Sequence, residues 1–153
     1  MDRKNQLKET ENRLKNLKLM ESPEVQSWRA LLAAFQTIFT FLEEELGREG
    51  CSISRFQILL ILYTEGPCQS AKLAERLLVT RGNVSMFVRR MEKDGLLSKV
   101  MIPNQKRYLL QLTTKGSEYF QSPFPGHIKR IKKKMPPLSK DFLKTLQSIS
   151  NPK

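Results

Sequence analysis

The stretch "SAKLAERLLVTRGNVSMFVRRMEKDGLL", residues 70–97, constrains the fold more than any other part of the chain. Leu73, Ala74 and Leu77 recur at helical spacing in its first half, and Val84, Phe87, Val88 and Met91 in its second. So little chain separates the two amphipathic segments that they must turn sharply against each other. Thr80 suits the N-cap of the second helix, and Asp94-Gly95 suits its end. That second helix is weak on intrinsic grounds. Gly82 costs about 1 kcal/mol against alanine, and Asn83, Val84 and Ser85 are poor helix formers. With the apolar set inward, Gly82, Ser85, Met86 and Arg89 form the opposite stripe at i, i+3, i+4 and i+7. A slim N-terminal end lets the backbone approach a groove floor, and the helix dipole there favours phosphate. Arg89 can donate twice to a guanine edge, Asn83 can pair with adenine, and Arg81 can reach phosphate or base.

The flanking segments extend the motif. "LLSKVMIPNQKRYLLQLT" holds two β-prone runs around Pro103-Asn104, a hairpin with a basic tip, which completes a winged helix-turn-helix. Upstream, "SISRFQILLILYTEG" reads as a helix capped by Ser52 and closed at Gly66-Pro67. Before it, Ser22, Pro23 and Glu24 open a helix expected to run to about Leu46 and to stop near Gly47 and Gly50. Its apolar residues, from Trp28 and Phe35 to Leu42 and Leu46, cover more than one face. Such a helix needs two packing partners, one of which a second subunit can supply. Residues 3–20 carry mixed charge with Leu7, Leu14, Leu17 and Met20 at helical spacing, a helical arm. Downstream, "TTKGSEYF" restarts a helix that bends or breaks at "SPFPG", because proline cannot donate to the ladder. "HIKRIKKKM" continues it, with Ile128, Ile131 and Met135 on one side. Ser139 then caps a last amphipathic helix carrying Phe142, Leu143, Leu146 and Ile149.

Charge points the same way. The 153-residue chain carries a net charge of +12, unevenly spread: residues 23–69 have a deficit of three, whereas 70–115 and 127–153 each have a surplus of seven. A surplus concentrated on a helix-turn-helix is better explained by a polyanionic partner than by solubility alone. No run of eighteen apolar residues and no apolar signal core occurs, so neither a membrane span nor export is expected. Cys51 and Cys68 flank a helix that holds them roughly 20 Å apart, too far to pair, and a reducing cytoplasm is the expected compartment.

These segments together resemble the multiple-antibiotic-resistance regulator (MarR) family of bacterial transcription factors, from about Pro23 to Ile149. "SRFQILLIL" resembles the family's second helix, and "KLAERLLVTRGNVSMFVRRMEKDGLL" its helix-turn-helix. "LTTKG" resembles the Leu-Thr-x-x-Gly after its wing, and "PGHI" the Pro-x-His of its long fifth helix. The resemblance implies a mainly α fold with a small β wing: a winged helix-turn-helix DNA-binding lobe plus a helical dimerisation region built from N- and C-terminal helices. It divides the chain into an arm (1–22), a dimerisation helix (23–50), the DNA-binding lobe (51–112) and C-terminal dimerisation helices (113–153). It further implies a homodimer on a pseudo-palindromic operator in double-stranded DNA, with half-sites about one turn apart, acting as a repressor. The DNA-contacting residues are then Ser70, Thr80, Arg81, Gly82, Asn83, Ser85, Met86, Arg89, Arg90, Asn104, Gln105, Lys106 and Arg107.

The wing departs from the pattern. Where the family carries Asp-x-Arg, this chain reads "NQKR", so Asn104 replaces the acid and Lys106 the arginine. An Asn–Lys contact is weaker than a carboxylate–guanidinium fork. A more mobile wing with reduced minor-groove reading is expected, and Arg107 takes over the insertion.

Other chemistry is thinly supported. His127, Cys51 and Cys68 lack metal-ligand spacing, and His127 reads as a structural histidine at a helix kink; no cofactor is expected. Cys51 precedes a capped helix start, which leaves a redox-responsive member of the family as an alternative. The cysteines read more simply as buried thiols. The resemblance also implies a small-molecule effector between the dimer region and the lobe. Trp28, Phe35, Phe56 and Tyr63 are candidates to line that space, but their spacing fits ordinary core and no ligand site is assigned. "KRIKKK" reads as a solvated face. A winged-helix protein-interaction module is the rival from another class, and only Met86 offers it an exposed apolar anchor. No titratable pair or phosphate-cradling glycine loop suggests an enzyme.

Overall fold

The computed structural model describes residues 3–77, 79–105 and 107–150. They belong to two compact units, residues 1–41 and 42–153, each described in its own right. None of the described helices is long and apolar enough to cross a membrane.

The first unit holds α1 (Arg3–Leu19) and most of α2 (Pro23–Arg48). Ser22 Oγ accepts from the Val25 N–H at 3.4 Å, and proline occupies the first helical position, as the sequence suggests. Phe35 and Phe39 stack with ring centroids 5.3 Å apart. Along this part of α2, Trp28, Leu31, Leu32 and Phe35 remain exposed.

The second unit begins with the last turns of α2, where Leu42 and Leu46 are buried. The helix runs two residues beyond the expected Leu46 and carries Gly47 inside it. Gly50, at φ 74°, makes the left-handed turn, and the Cys51 N–H reaches back to the Leu46 carbonyl at 2.9 Å. There follow α3 (Ile53–Glu65), α4 (Ser70–Leu77), α5 (Arg81–Lys93), β1 (Leu97–Met101), β2 (Tyr108–Leu112), α6 (Thr114–Gln121), α7 (Phe124–Lys134) and α8 (Lys140–Ser150). The antiparallel hairpin pairs Leu97 with Leu112 through to Met101 with Tyr108. A further rung links Cys68 to Leu110 by two backbone bonds of 3.1 and 2.8 Å, so the wing is tied to the chain entering α4. Sequence alone reads Cys68 only as a turn residue; the rung depends on a strand far along the chain.

An aromatic cluster centres the core. Phe120 of α6 stacks on Phe56 (5.2 Å), Tyr63 (4.9 Å) and Phe124 (5.0 Å). α6 therefore packs on α3, and Phe120 is wholly buried. The helix does break at "SPFPG". α6 ends at Gln121 with Ser122 as its cap, and α7 starts at Phe124 with Pro125 in its first turn, where no N–H is needed.

The end of α5 is fixed by a glycine-terminated cap. Gly95 (φ 72°) donates to the Glu92 carbonyl and Leu96 to the Met91 carbonyl, both at 2.9 Å. The "LTTKG" segment closes on this turn. Thr113 donates its hydroxyl to the Gly95 carbonyl (2.7 Å) and its N–H to the Leu96 carbonyl (3.1 Å), while Thr113 Oγ1 accepts from the Gly116 N–H at 3.0 Å. A Cβ on Gly116 would lie 2.0 Å from the Leu96 carbonyl oxygen, so only glycine fits. Gly116→Ala is expected to cost about 3 kcal/mol or more, because backbone rather than a flexible side chain must give way. A urea-melt midpoint unchanged from wild type would contradict this packing.

Candidate nucleic-acid interface

The start of α5 is set by Thr80, in extended conformation, whose Oγ1 accepts from the Asn83 N–H at 3.3 Å. Val84, Val88 and Met91 are buried and Phe87 is half-buried. The opposite stripe of Gly82, Ser85, Met86 and Arg89 faces solvent, as do Arg81, Asn83 and Arg90. Ser85 donates its hydroxyl to the Arg81 carbonyl at 2.9 Å, which keeps it flat against the helix. Gly82 is the informative residue. A Cβ there would meet only Thr80 Oγ1 at 3.9 Å, and its φ lies outside the left-handed region. Neither packing nor backbone strain requires glycine, so its cost to the helix, about 1 kcal/mol, is not recovered within the chain.

The charges divide in a telling way. Lys72 and Arg76 of α4 hold Glu65 at 2.9 and 3.2 Å, Arg55 holds Asp94 at 2.7 Å, and Lys99 holds Glu92 at 2.7 Å. Among the described residues, no carboxylate lies within ion-pair distance of Arg81, Arg89, Arg90 or Arg107. Lys72, Arg76, Arg55 and Lys99 are thus neutralised, whereas Arg81, Arg89 and Arg90 of α5 and Arg107 of the wing are not.

At the wing, the Ile102 N–H donates to the Arg107 carbonyl at 3.0 Å and the Gln105 N–H to the Ile102 carbonyl at 3.1 Å. Asn104 sits at φ 61°, a left-handed position that asparagine tolerates well, so it serves the turn itself. Gln105 and Arg107 are exposed, and Lys106 lies outside the described residues. Arg107 stands opposite Ile102, one step beyond the last rung of the hairpin and next to its turn. It lines a groove with Arg81 and Ser70, the half-buried first residue of α4.

A profile of the MarR family matches residues 51–109. The transcriptional regulator YkoM of Bacillus subtilis, of helix-turn-helix type, is 31% identical over 74% of this chain and 75% of its own. The chain belongs to the MarR family. It is a DNA-binding transcription regulator rather than an enzyme. Among solved structures, AbsC of Streptomyces coelicolor shares the fold (TM-score 0.73, 22% identity, 86% of this chain and 92% of that one). Sco3205 from the same organism, solved in complex with DNA, is 26% identical with TM-score 0.69 and 84% of each chain covered.

In this MarR-family chain the remaining candidates have structural roles. His127 is buried at the start of α7 with its ring 4.4 Å from Phe56. Among the described residues, no group of three or more His, Cys, Asp or Glu is placed to hold a metal ion. Cys51 and Cys68 are both buried, and burial pushes both thiols up, away from the thiolate a redox sensor needs. The aromatic set expected as core is split: Phe56 is buried and Tyr63 stacks on Phe120, whereas Trp28 and Phe35 are 60% and 59% exposed. The basic run is also not uniformly solvated. Arg130 is clasped by Glu49 and by Glu45, the latter at 3.2 Å, so α7 is bound to the end of α2. Sequence reasoning missed this clasp because its partners lie some eighty residues apart.

Burial, followed by the neighbouring Arg130 charge, lowers the His127 pKa from its ordinary 6.5. The folded chain therefore takes up this proton less readily than the unfolded one. Stability is full above pH 6.5 and falls as pH drops below it. Arg130 lowers the Glu49 carboxyl from 4.5, so its loss comes at more acidic pH. Thermal melts of His127→Gln are expected to show a flatter decline than wild type between about pH 7 and pH 5; equal slopes would refute the assignment.

Proposed function

We propose that the chain acts in the cytoplasm as a homodimer, binds a pseudo-palindromic operator and represses transcription. α5 enters the major groove, with Gly82 and Ser85 against the floor. Arg89 reads a guanine, Asn83 an adenine, and Met86 a thymine methyl. Thr80, Arg81 and Arg90 reach the flanking backbone, as do Ser70 of α4 and Asn104, Gln105, Lys106 and Arg107 of the wing. The observation that carries the reading is Gly82: a helix-weakening residue, exposed, unneeded by its own fold, between arginines without counter-ions. It makes sense if another molecule's surface must come close. The interaction-module alternative gains little, because Met86 is the sole large apolar side chain on that stripe.

The dimer reading rests on apolar faces uncovered in a single chain: Trp28, Leu31, Leu32 and Phe35 on α2, and Phe142, Leu143 and Ile149 on α8. Exposed large side chains at this density mark a contact surface. Phe35→Asp is expected to convert a species of twice the 17.8 kDa chain mass into monomer. Sedimentation in which the wild type is already monomeric would remove the dimer.

Gly82→Ala separates folding from binding. It should raise helix stability by up to about 1 kcal/mol while weakening binding to a duplex selected from a random pool. Arg89→Ala should reduce discrimination between that duplex and random DNA by about 1–3 kcal/mol. If Arg89→Ala weakened both duplexes equally, the base-reading stripe would be misassigned.

A further inference from the structure

Arg107 and Arg81 line one groove. The groove is about 430 Å³ and is lined by Gln69, Ser70, Ala71, Arg81, Arg107 and Tyr108. One wall is the start of α4, another is the first residue of α5, and the third is the strand leading out of the wing. Two arginines that line one groove bring like charge together, which an anion between them would relieve. No carboxylate among the described residues does so, although nearby cations are paired: Lys72 and Arg76 with Glu65, and Lys99 with Glu92. The hairpin geometry fixes Arg107 here. Its carbonyl accepts the Ile102 N–H at 3.0 Å, which places it past the turn at 103–105 and beside Tyr108. Tyr108 is itself held under the Lys99 ammonium, 5.0 Å from its ring. Arg107 thus leaves the turn at the loop end of the wing and lines the same groove as Arg81, the first residue of α5.

We propose that Arg81 and Arg107 jointly grip a single backbone phosphate in the groove between the start of α5 and the loop end of the wing, so that Arg107 sets the position of the duplex instead of reading the minor groove. The inference rests on the DNA-binding reading given above. It assigns the wing of this chain a positioning role, with Ser70, which lines the same groove, a candidate to donate its hydroxyl to the bound oxygen. Planar guanidinium forks suit a phosphodiester, which offers two unesterified oxygens. The shape of the minor groove then contributes little to site choice, and discrimination falls to α5.

The test measures binding of the full chain to a random-sequence duplex across salt, for wild type, Arg81→Ala, Arg107→Ala and the double variant. Each phosphate neutralised contributes about 0.9 to the slope of log affinity against log salt. A shared phosphate predicts that each single variant loses up to about one unit per subunit and that the double variant also loses about one. Two separate phosphates would lose about two, and that result would overturn the proposal. A second arm compares duplexes with A-tract and G·C-rich flanks, using Arg107→Lys, which keeps the charge, alongside Arg107→Ala. The expected result is an equal effect on both flanks. Selective loss on A-tract flanks would mean that Arg107 reads a narrow minor groove, and would overturn the proposal while leaving DNA binding intact. Absence of duplex binding by the wild type at low salt would instead overturn the DNA reading, and the phosphate grip with it.

Discussion

The relation between the recognition helix and the wing hangs on one close contact, the approach of Gly116 to the Leu96 carbonyl. Gly95 turns the chain out of α5 in the left-handed conformation, and Leu96 caps the helix by donating to Met91. Thr113 then binds both Gly95 and Leu96, and α6 starts from the same threonine. The end of α5 and both strands of the hairpin are thereby referred to a single point. Lys115, which donates to the Asp94 carbonyl at 2.8 Å, and Arg55, which pairs with the Asp94 side chain, brace it from α6 and α3. Exposed ion pairs of this kind are individually weak. Their value lies in fixing the direction in which α5 points.

Electrostatics acts on top of this frame. The net charge of +12 says only that a polyanion is attracted. Where it is attracted depends on which cations are already neutralised. Glu65 takes Lys72 and Arg76, Glu92 takes Lys99, and Glu45 and Glu49 take Arg130. Arg81, Arg89 and Arg90 of α5 and Arg107 of the wing have no carboxylate partner among the described residues, which concentrates the positive field on that face. The charge surplus of residues 127–153 is thus less uniform than its composition suggests, since Arg130 braces α7 against the end of α2.

Much of the fold was legible in the residues. Ser22, Ser52, Thr80 and Ser139 cap helices as their types and spacing suggest, each accepting a backbone N–H three residues on. The α5 stripe was legible too, because helical periodicity decides which side chains point away from Val84, Val88 and Met91. The wing was less so. Asn104 looked like a lost acid in a pairing motif, yet its φ of 61° makes it the turn residue, a role set by hairpin register rather than by sequence. Tyr63, Trp28 and Phe35 share a periodicity with Phe56, but only Phe56 meets neighbours on all sides.

The sequence by itself determined what depends on residues within a turn of each other: the caps, the helical faces, the breaks at proline, and the slim cationic side of α5. Only the tertiary structure decided what depends on distant segments meeting. It brought Cys68 to Leu110, Gly116 to Leu96, Glu49 to Arg130, and Arg107 to the groove of Arg81 and Ser70. The reason is one of range. Helix propensity and periodicity act over a few residues, whereas packing and ion pairing act between any segments that the fold brings within ångströms, and no local pattern encodes that encounter.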